Sequence, residues 1–200
     1  IYAAAFSGFY MALALTLIAL WMRPIGFDYR SKLPSKTWRT TWDWALFAGG
    51  IIPSLIFGVA FGNLFLGVPF ELDNTLKPTY TGSFFGLLTP FALLSGLISV
   101  GMLLNHGATW LGMKTDGFIE VRARAVSTIL SLATVVMFIL AGVWVANMDG
   151  FVITSTVDTL ATSNPLNKEV AIVAGAWMNN YGEYPWMMIA PVLGIAAGLA

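Results

Sequence analysis

WDWALFAGGIIPSLIFGVAFGNLFL occupies residues 42–66 and contains no Lys, Arg, Asp or Glu after Asp43. About 20 consecutive apolar residues are enough for a helix to cross the hydrocarbon core of a bilayer, so this stretch predicts a membrane-spanning helix. Pro53 lies inside it and Pro90 lies inside a later apolar segment, and we expect both prolines to kink their helices. Small residues that permit close helix packing recur along these two segments: Gly49, Gly50, Gly58, Gly62, Gly96 and Gly101.

Four other apolar segments flank this one. They lie at about 2–22, 84–112 and 123–147, and a last one begins near residue 186 and runs to 200. Hydrophobic residues make up 58% of the 200 residues and charged residues only 10%, whereas soluble domains carry about 25% charged residues. The chain is therefore predicted to be all-α, a polytopic bundle of transmembrane helices forming one domain over 1–200. Its apolar ends and the absence of an initiator Met lead us to expect an internal segment of a longer protein.

The basic residues are concentrated in two of the four connecting loops. Loops 23–41 and 113–122, with Arg124 just beyond, hold eight of the ten Lys and Arg residues, and loops 67–83 and 148–185 hold the other two. Cytoplasmic loops of membrane proteins carry the excess of Lys and Arg. Loops 23–41 and 113–122 are therefore predicted to be cytoplasmic, and loops 67–83 and 148–185 periplasmic.

The composition excludes several classes of function. The net charge is zero, which gives no electrostatic basis for binding nucleic acid. There is no cysteine, so disulfides, thiolate metal sites and cysteine nucleophiles are excluded. His106 is the only histidine; we interpret it as a hydrogen-bonded residue rather than a haem ligand, and no metal site is predicted.

Motifs that would bind a cofactor or carry out catalysis are also missing. The glycine-rich stretches lie in helical context with no following Lys-Ser or Lys-Thr, so no phosphate-binding loop is predicted. Asn63 and Asn105 are polar residues in apolar segments, where interhelical hydrogen bonding is expected and contact with a quinone carbonyl is the alternative. No catalytic residue is predicted, and the sequence does not identify residues that would bind a cofactor.

Loop 23–41 contains the residues most capable of proton chemistry. Arg23-Pro24 is expected to end the first helix, because proline cannot continue it. Asp28 and Lys32 are four residues apart, so they would face each other on one helical turn. The pair is either an interfacial salt bridge or a site of proton uptake, and the spacing alone does not choose between them.

Asp43 lies at the start of the 42–66 segment. An acid there is favoured by the helix dipole, with Thr40 or Thr41 as the cap. A role in a proton path or a subunit contact is the alternative.

Several stretches together resemble subunit II of the cytochrome bd ubiquinol oxidase family. They follow the order and spacing of the family and cover most of the chain from Tyr2 to about Trp177. The matching stretches are YAAAFSGFY, RPIGFDYRSK, WRxxWDW, GVAFGNLFLGVPF, YTGSFFGLLTPFALLSGLISVGM, VRARA, LAGVW and SNPLNKEV followed by AGAW.

The resemblance implies a subunit of a quinol oxidase that reduces dioxygen to water in the bacterial inner membrane. In this family the b-type and d-type haems are ligated by the partner, subunit I, and subunit II binds none. Subunit II assembles with subunit I and shields the haems, and in some members it holds a structural quinone. A small accessory membrane subunit is a further candidate partner, besides quinol and the lipid bilayer.

The resemblance also implies a proton pathway from the cytoplasm. The acid and the lysine of the family's GFDYRSK segment match Asp28 and Lys32, with Ser31 between them. Asp43 matches the acid of the family's WDW. The family's first two helices and its last helices have no counterpart in this chain, so a pathway built from these residues alone would be incomplete.

Two other interpretations of the chain are kept open. A transporter-type membrane subunit would hold its substrate at helices broken by Pro and Gly, but such proteins commonly show internal repeats, and none is evident here. A purely structural membrane assembly protein is the third interpretation.

Overall fold

The computed structural model describes residues 2–156, 160, 162, 164 and 168–199, with side chains from residue 5 onward. The chain divides into two compact units, residues 1–134 and 135–200, which are described separately. The first contains α1 (Tyr2–Gly8), α2 (Tyr10–Tyr29), α3 (Lys36–Leu66) and α4 (Pro90–Lys114), and α5 (Phe118–Ala146) begins in it. In the part of the chain that is described, α2, α3, α4 and α5 are long and apolar enough to cross a membrane. The predicted all-α, polytopic fold is therefore confirmed.

Two of the prolines do not act as the sequence predicted. Helix α2 continues through Pro24 to Tyr29, and Arg30 N–H donates to the Gly26 carbonyl at 3.0 Å, so the prediction that Arg23-Pro24 ends the helix is wrong. Proline removes one helical hydrogen bond and crowds the carbonyl four residues before it, and membrane helices tolerate this where neighbouring groups satisfy the freed carbonyl. The helix therefore ends about one and a half turns beyond the predicted boundary.

Pro90 is the first residue of α4 and does not lie in its interior. A first-turn N–H has no partner within the helix, so proline fits there without disruption, and the expected kink at Pro90 is wrong. Thr89 caps the helix by accepting the Ala92 N–H at 3.2 Å. Residues 85–87, which were assigned to the span, form a separate 3₁₀ turn. Pro53, in contrast, does lie inside α3, where it is buried.

Glycines form the contact between α3 and α4. A Cβ added to Gly58 would lie 2.5 Å from the Ser95 carbonyl oxygen and 2.6 Å from the Gly96 Cα. A Cβ on Gly62 would lie 2.7 Å from the Ala92 Cα. These neighbours are backbone atoms, so the two helices approach closely only because the side chains are absent. We call Gly58, Gly62 and Gly96 the glycine seam.

Asn63 provides the polar contact beside this seam. Its side chain is 3% exposed, and its amide nitrogen donates to the Val59 carbonyl and to the Leu87 carbonyl, each at 2.8 Å. The first bond lies within α3 and the second reaches the 3₁₀ turn at 85–87. Asn63 was expected to bond to another helix. It bonds instead to the turn that precedes α4.

The connection between α3 and α4 contains an antiparallel hairpin of β1 (Phe70–Leu72) and β2 (Pro78–Tyr80). The Asp73 carboxylate closes its turn by accepting the Thr75 hydroxyl at 2.6 Å, the Thr75 N–H at 2.8 Å and the Lys77 N–H at 2.9 Å. These bonds stabilise the charged form of Asp73 and so hold its pKa below the ordinary value. The bond from the Thr75 hydroxyl has the largest effect.

The second unit also contains a hairpin. Strands β3 (Asp149–Ile153) and β4 (Val170–Ala174) pair antiparallel, and the indole N–H of Trp177 donates to the Asp149 carbonyl at 3.1 Å. Helices α6 (Asn179–Glu183) and α7 (Ile189–Leu199) follow, separated by a 3₁₀ turn over Pro185–Met188. The sequence predicted loops over 67–83 and 148–185, where both hairpins lie, and a helix from about 186 to 200, where α7 lies. The resembling stretch SNPLNKEV, residues 163–170, lies partly outside the described residues.

Candidate functional site

The candidate site is the connection between α2 and α3. Helix α2 ends at Tyr29, and Ser35 begins α3 by accepting the Trp38 N–H at 3.5 Å. The Tyr29 carbonyl, left without a partner inside its helix, accepts the Trp38 indole N–H at 2.7 Å and the Lys32 N–H at 3.1 Å. These bonds fold residues 30–35 into a short turn between the two helices.

An aromatic cluster of Tyr29, Trp38 and Trp42 fixes this turn. The Trp42 ring lies 5.8 Å from the Tyr29 ring and 5.7 Å from the Trp38 ring, the latter edge to face. The ammonium of Lys32 lies 5.1 Å from the centre of the Tyr29 ring, within the range of a cation–π interaction. A Cβ on Gly26 would lie 2.8 Å from Leu46 Cδ2, so the two helices also pack closely beside the cluster.

Asp43 is joined to Arg30 across the turn. The Arg30 Nε donates to Oδ1 of Asp43 at 2.5 Å, and Nη2 donates to Oδ2 at 3.2 Å, which makes the pair bidentate. This hydrogen bond also raises the pKa of Arg30 above its ordinary value. Asp43 is therefore held as the partner of an arginine, and neither Thr40 nor Thr41 caps the helix, since Ser35 does so one turn earlier.

Asp28, Ser31 and Lys32 lie at the same end of the structure, and all three are exposed. Because α2 ends at Tyr29, Lys32 lies beyond the helical register that would place it opposite Asp28. Among the described residues, neither Asp28 nor Lys32 has an ion pair. The salt-bridge alternative for this pair is therefore not seen in the structure, and no opposite charge neutralises either residue among the described residues.

The sequence did not predict the pair of Arg30 with Asp43. The two residues are 13 positions apart and meet only because the turn reverses the chain. The aromatic cluster left a clearer signal, because Trp38 and Trp42 are spaced by four residues and share one face of a helix.

The other polar candidates lie on α4 and α5. His106 is exposed, whereas Asn105 accepts the Ser127 hydroxyl at 2.6 Å, and that hydroxyl lies 2.9 Å from the Thr109 hydroxyl. The interhelical bond expected for Asn105 is therefore present. Within the described residues, no group of three or more His, Cys, Asp or Glu could hold a metal ion.

The comparisons with known proteins agree on one family. The family model for cytochrome bd terminal oxidase subunit II matches residues 1–200. All of the chain is 56% identical to a probable cytochrome oxidase subunit 2 of Haemophilus influenzae and 52% identical to the cytochrome bd-I ubiquinol oxidase subunit 2 of Escherichia coli, covering 53% of each. A cytochrome bd ubiquinol oxidase subunit 2 of Bacillus subtilis is 30% identical over 62% of the chain and 35% of its own length. The chain spans about half the length of the first two relatives.

Proposed function

The chain belongs to the cytochrome bd terminal oxidase subunit II family, and on this basis we propose that it is part of a quinol:dioxygen oxidoreductase of the bacterial inner membrane. The names of its relatives support this activity, and the four helices long enough to span a bilayer support a multi-pass location. Neither observation favours the transporter interpretation. The charge distribution supports a topology with residues 23–41 and 113–122 in the cytoplasm and 67–83 and 148–185 in the periplasm.

The redox chemistry is proposed to take place outside this chain. Its one histidine, His106, is exposed, and there is no cysteine, so the two commonest kinds of axial haem ligand are scarce in this chain, which supports the proposal. The b-type and d-type haems would then be ligated by subunit I, and this chain would assemble with that partner and shield them. A structural quinone and a small accessory subunit belong to the same proposal, and no electron-transfer step is assigned to residues of this chain.

The contribution of this chain to catalysis is proposed to be proton uptake at the connection of α2 and α3. The supporting observation is that Asp28 and Lys32 are both exposed and that neither has an ion pair among the described residues. A group that takes protons from the cytoplasm must reach water and must not be neutralised by a fixed partner. The Ser31 hydroxyl, between the two in sequence, can accept and donate a hydrogen bond and so pass a proton along.

Asp43 takes a different role in this proposal. Its carboxylate is bound at both oxygens by Arg30, which supports a role in holding the turn in place, and the proton-path role expected from the sequence stays a prediction. Asp43 is therefore a positioning residue for the segment that carries Ser31 and Lys32.

The test uses the full-length chain assembled with its haem-bearing partner. Asp28→Asn and Lys32→Met are expected to slow quinol-driven oxygen consumption by on the order of tenfold or more while the haem absorption stays normal. Lys36→Gln is the matched control, because it removes an exposed positive charge from the first residue of α3, next to the connection, and should leave turnover unchanged. Wild-type turnover in both site variants would contradict the proton-uptake role. A purified complex without haem would contradict the oxidase assignment itself.

A further inference from the structure

A groove lies where α4 ends and α5 begins, away from the site described above. Its volume is about 290 Å³, and six apolar residues and one charged residue line it. Ala108 and Ala123, which line it, are buried, whereas the larger side chains of Leu111 and Val126, which also line it, are exposed. The apolar part of this open groove, called the channel below, is suited to a hydrocarbon chain.

Arg122 is the charged residue that lines this groove. Its guanidinium lies 5.3 Å from the centre of the Phe118 ring, which also lines the groove, and this cation–π contact restricts where the charge can lie. Within the described part of the chain, Arg122 has no ion pair. The nearest acid in sequence, Glu120, is already bound to Arg124 at 2.9 Å. The groove therefore combines an apolar channel with one positive charge that is not neutralised by a carboxylate.

The position of the groove in the chain indicates which ligand would combine these two features. Helices α4 and α5 are both membrane-spanning candidates, and the connection between them is only residues 115–117. Arg122 lies in the second turn of α5, and Lys114 is the last residue of α4, with its ammonium 5.2 Å from the centre of the Trp110 ring. Lys, Arg and Trp at helix ends are typical of the level of the lipid headgroups. A basic residue beside an apolar channel at that level suits the phosphate of a lipid whose acyl chain enters the channel.

We propose that this groove binds an anionic phospholipid, with one acyl chain between Leu111 and Val126 and the phosphate at Arg122. The Arg122 guanidinium presents several N–H donors in one plane and pairs with a phosphate through two of them. A zwitterionic lipid offers the same phosphate but also a positive headgroup, which Arg122 repels. The groove therefore distinguishes lipids by headgroup charge and holds them by the acyl chain.

The test measures lipid binding to the full-length protein in its complex, after exhaustive detergent washing, by native mass spectrometry. Phosphatidylglycerol and phosphatidylcholine with identical acyl chains are the probes. The wild type is expected to bind phosphatidylglycerol roughly fivefold more tightly, which is the effect expected of one basic residue near a membrane surface. Equal binding of the two lipids would refute the proposal.

Three variants separate the charge from the channel. Arg122→Gln is expected to abolish the preference for phosphatidylglycerol, whereas Arg39→Gln, which removes an exposed arginine that does not line the groove, should retain it. Val126→Phe should weaken binding of both lipids, because the ring fills the channel without changing a charge, and the exposure of Val126 lets the larger side chain fit without disturbing the fold. An Arg39→Gln variant that loses the preference as fully as Arg122→Gln would show a general surface effect and refute the site.

A competition experiment distinguishes binding of a lipid from binding of a free phosphate. Glycerol 3-phosphate carries the phosphate without an acyl chain and is expected not to compete with phosphatidylglycerol. Competition as strong as that of the lipid itself would show that the channel contributes nothing, and the proposal would be wrong.

Discussion

Replacing Gly58 by Ala tests whether the glycine seam determines how closely α3 and α4 pack. The added Cβ would lie 2.5 Å from the Ser95 carbonyl oxygen and 2.6 Å from both the Gly96 Cα and the Ser99 Cβ. Ordinary van der Waals contact begins at about 3.4 Å, so the helices must separate locally by roughly 0.9 Å. Two of the three atoms belong to the backbone of α4, which cannot move aside as a flexible side chain would.

The separation has an energetic cost that can be bounded. Overpacking a well-packed contact costs about 1–3 kcal/mol. Alanine also has a helix propensity higher than glycine by up to about 1 kcal/mol, which offsets part of this cost. Gly50→Ala is the matched control, because a Cβ at that position of the same helix meets nothing within 4 Å and only the propensity gain remains. The two variants should therefore differ in stability by about 1–3 kcal/mol, with Gly58→Ala the less stable.

The assay is thermal unfolding of the full-length protein in its complex, with wild type and both variants in the same detergent. Gly58→Ala should therefore melt below Gly50→Ala, because the midpoint falls with the stability that the close contact loses. If the two variants melt together, the close approach of α3 and α4 does not limit stability and the reasoning from the glycine seam is refuted.

Two further predictions concern the connection between α3 and α4. Asn63→Leu should destabilise the protein by about 1 kcal/mol, because the Leu87 carbonyl loses its donor in an apolar environment, and an unchanged melting midpoint would contradict this. The hairpin closed by Asp73 should keep its full stability above the ordinary aspartate pKa of 3.8 and lose stability as the pH falls through the lower folded value. Hydrogen exchange of the turn amides measured on both sides of that range checks this, and Asp73→Asn should remove the pH dependence.

The sequence predicted the fold class because hydropathy over about 20 residues is a strong signal that packing does not override. The predicted helix ends were wrong at proline, because proline can either interrupt a helix or begin one. Pro24 was expected to end a helix but lies inside one. Pro90 was expected to kink a helix but begins one. The hairpins were missed because three to five residues per strand give too short an alternation to detect.

The candidate site was predicted in part. Charge counting located the important connection, and the resemblance selected Asp28 and Lys32, whose role in proton uptake stays a prediction. The helical spacing of the two residues was misleading, because a helix that ends at Tyr29 cannot align residues 28 and 32. The bond between Arg30 and Asp43 depends on a chain reversal, and periodicity within one element carries no information about such contacts.

The two hydrogen bonds of Asn63 have a consequence for how the protein is inserted during synthesis. The bond to the Val59 carbonyl lies within α3, so the amide has a partner as soon as that helix has formed. The bond to the Leu87 carbonyl forms only once the chain that follows α3 has emerged and folded back. Helix α3 can therefore leave the translocon with its polar side chain partly satisfied, and the second bond then draws the start of α4 against it. The order of synthesis and the order of hydrogen bonding coincide, which favours insertion of α3 and α4 as a paired unit.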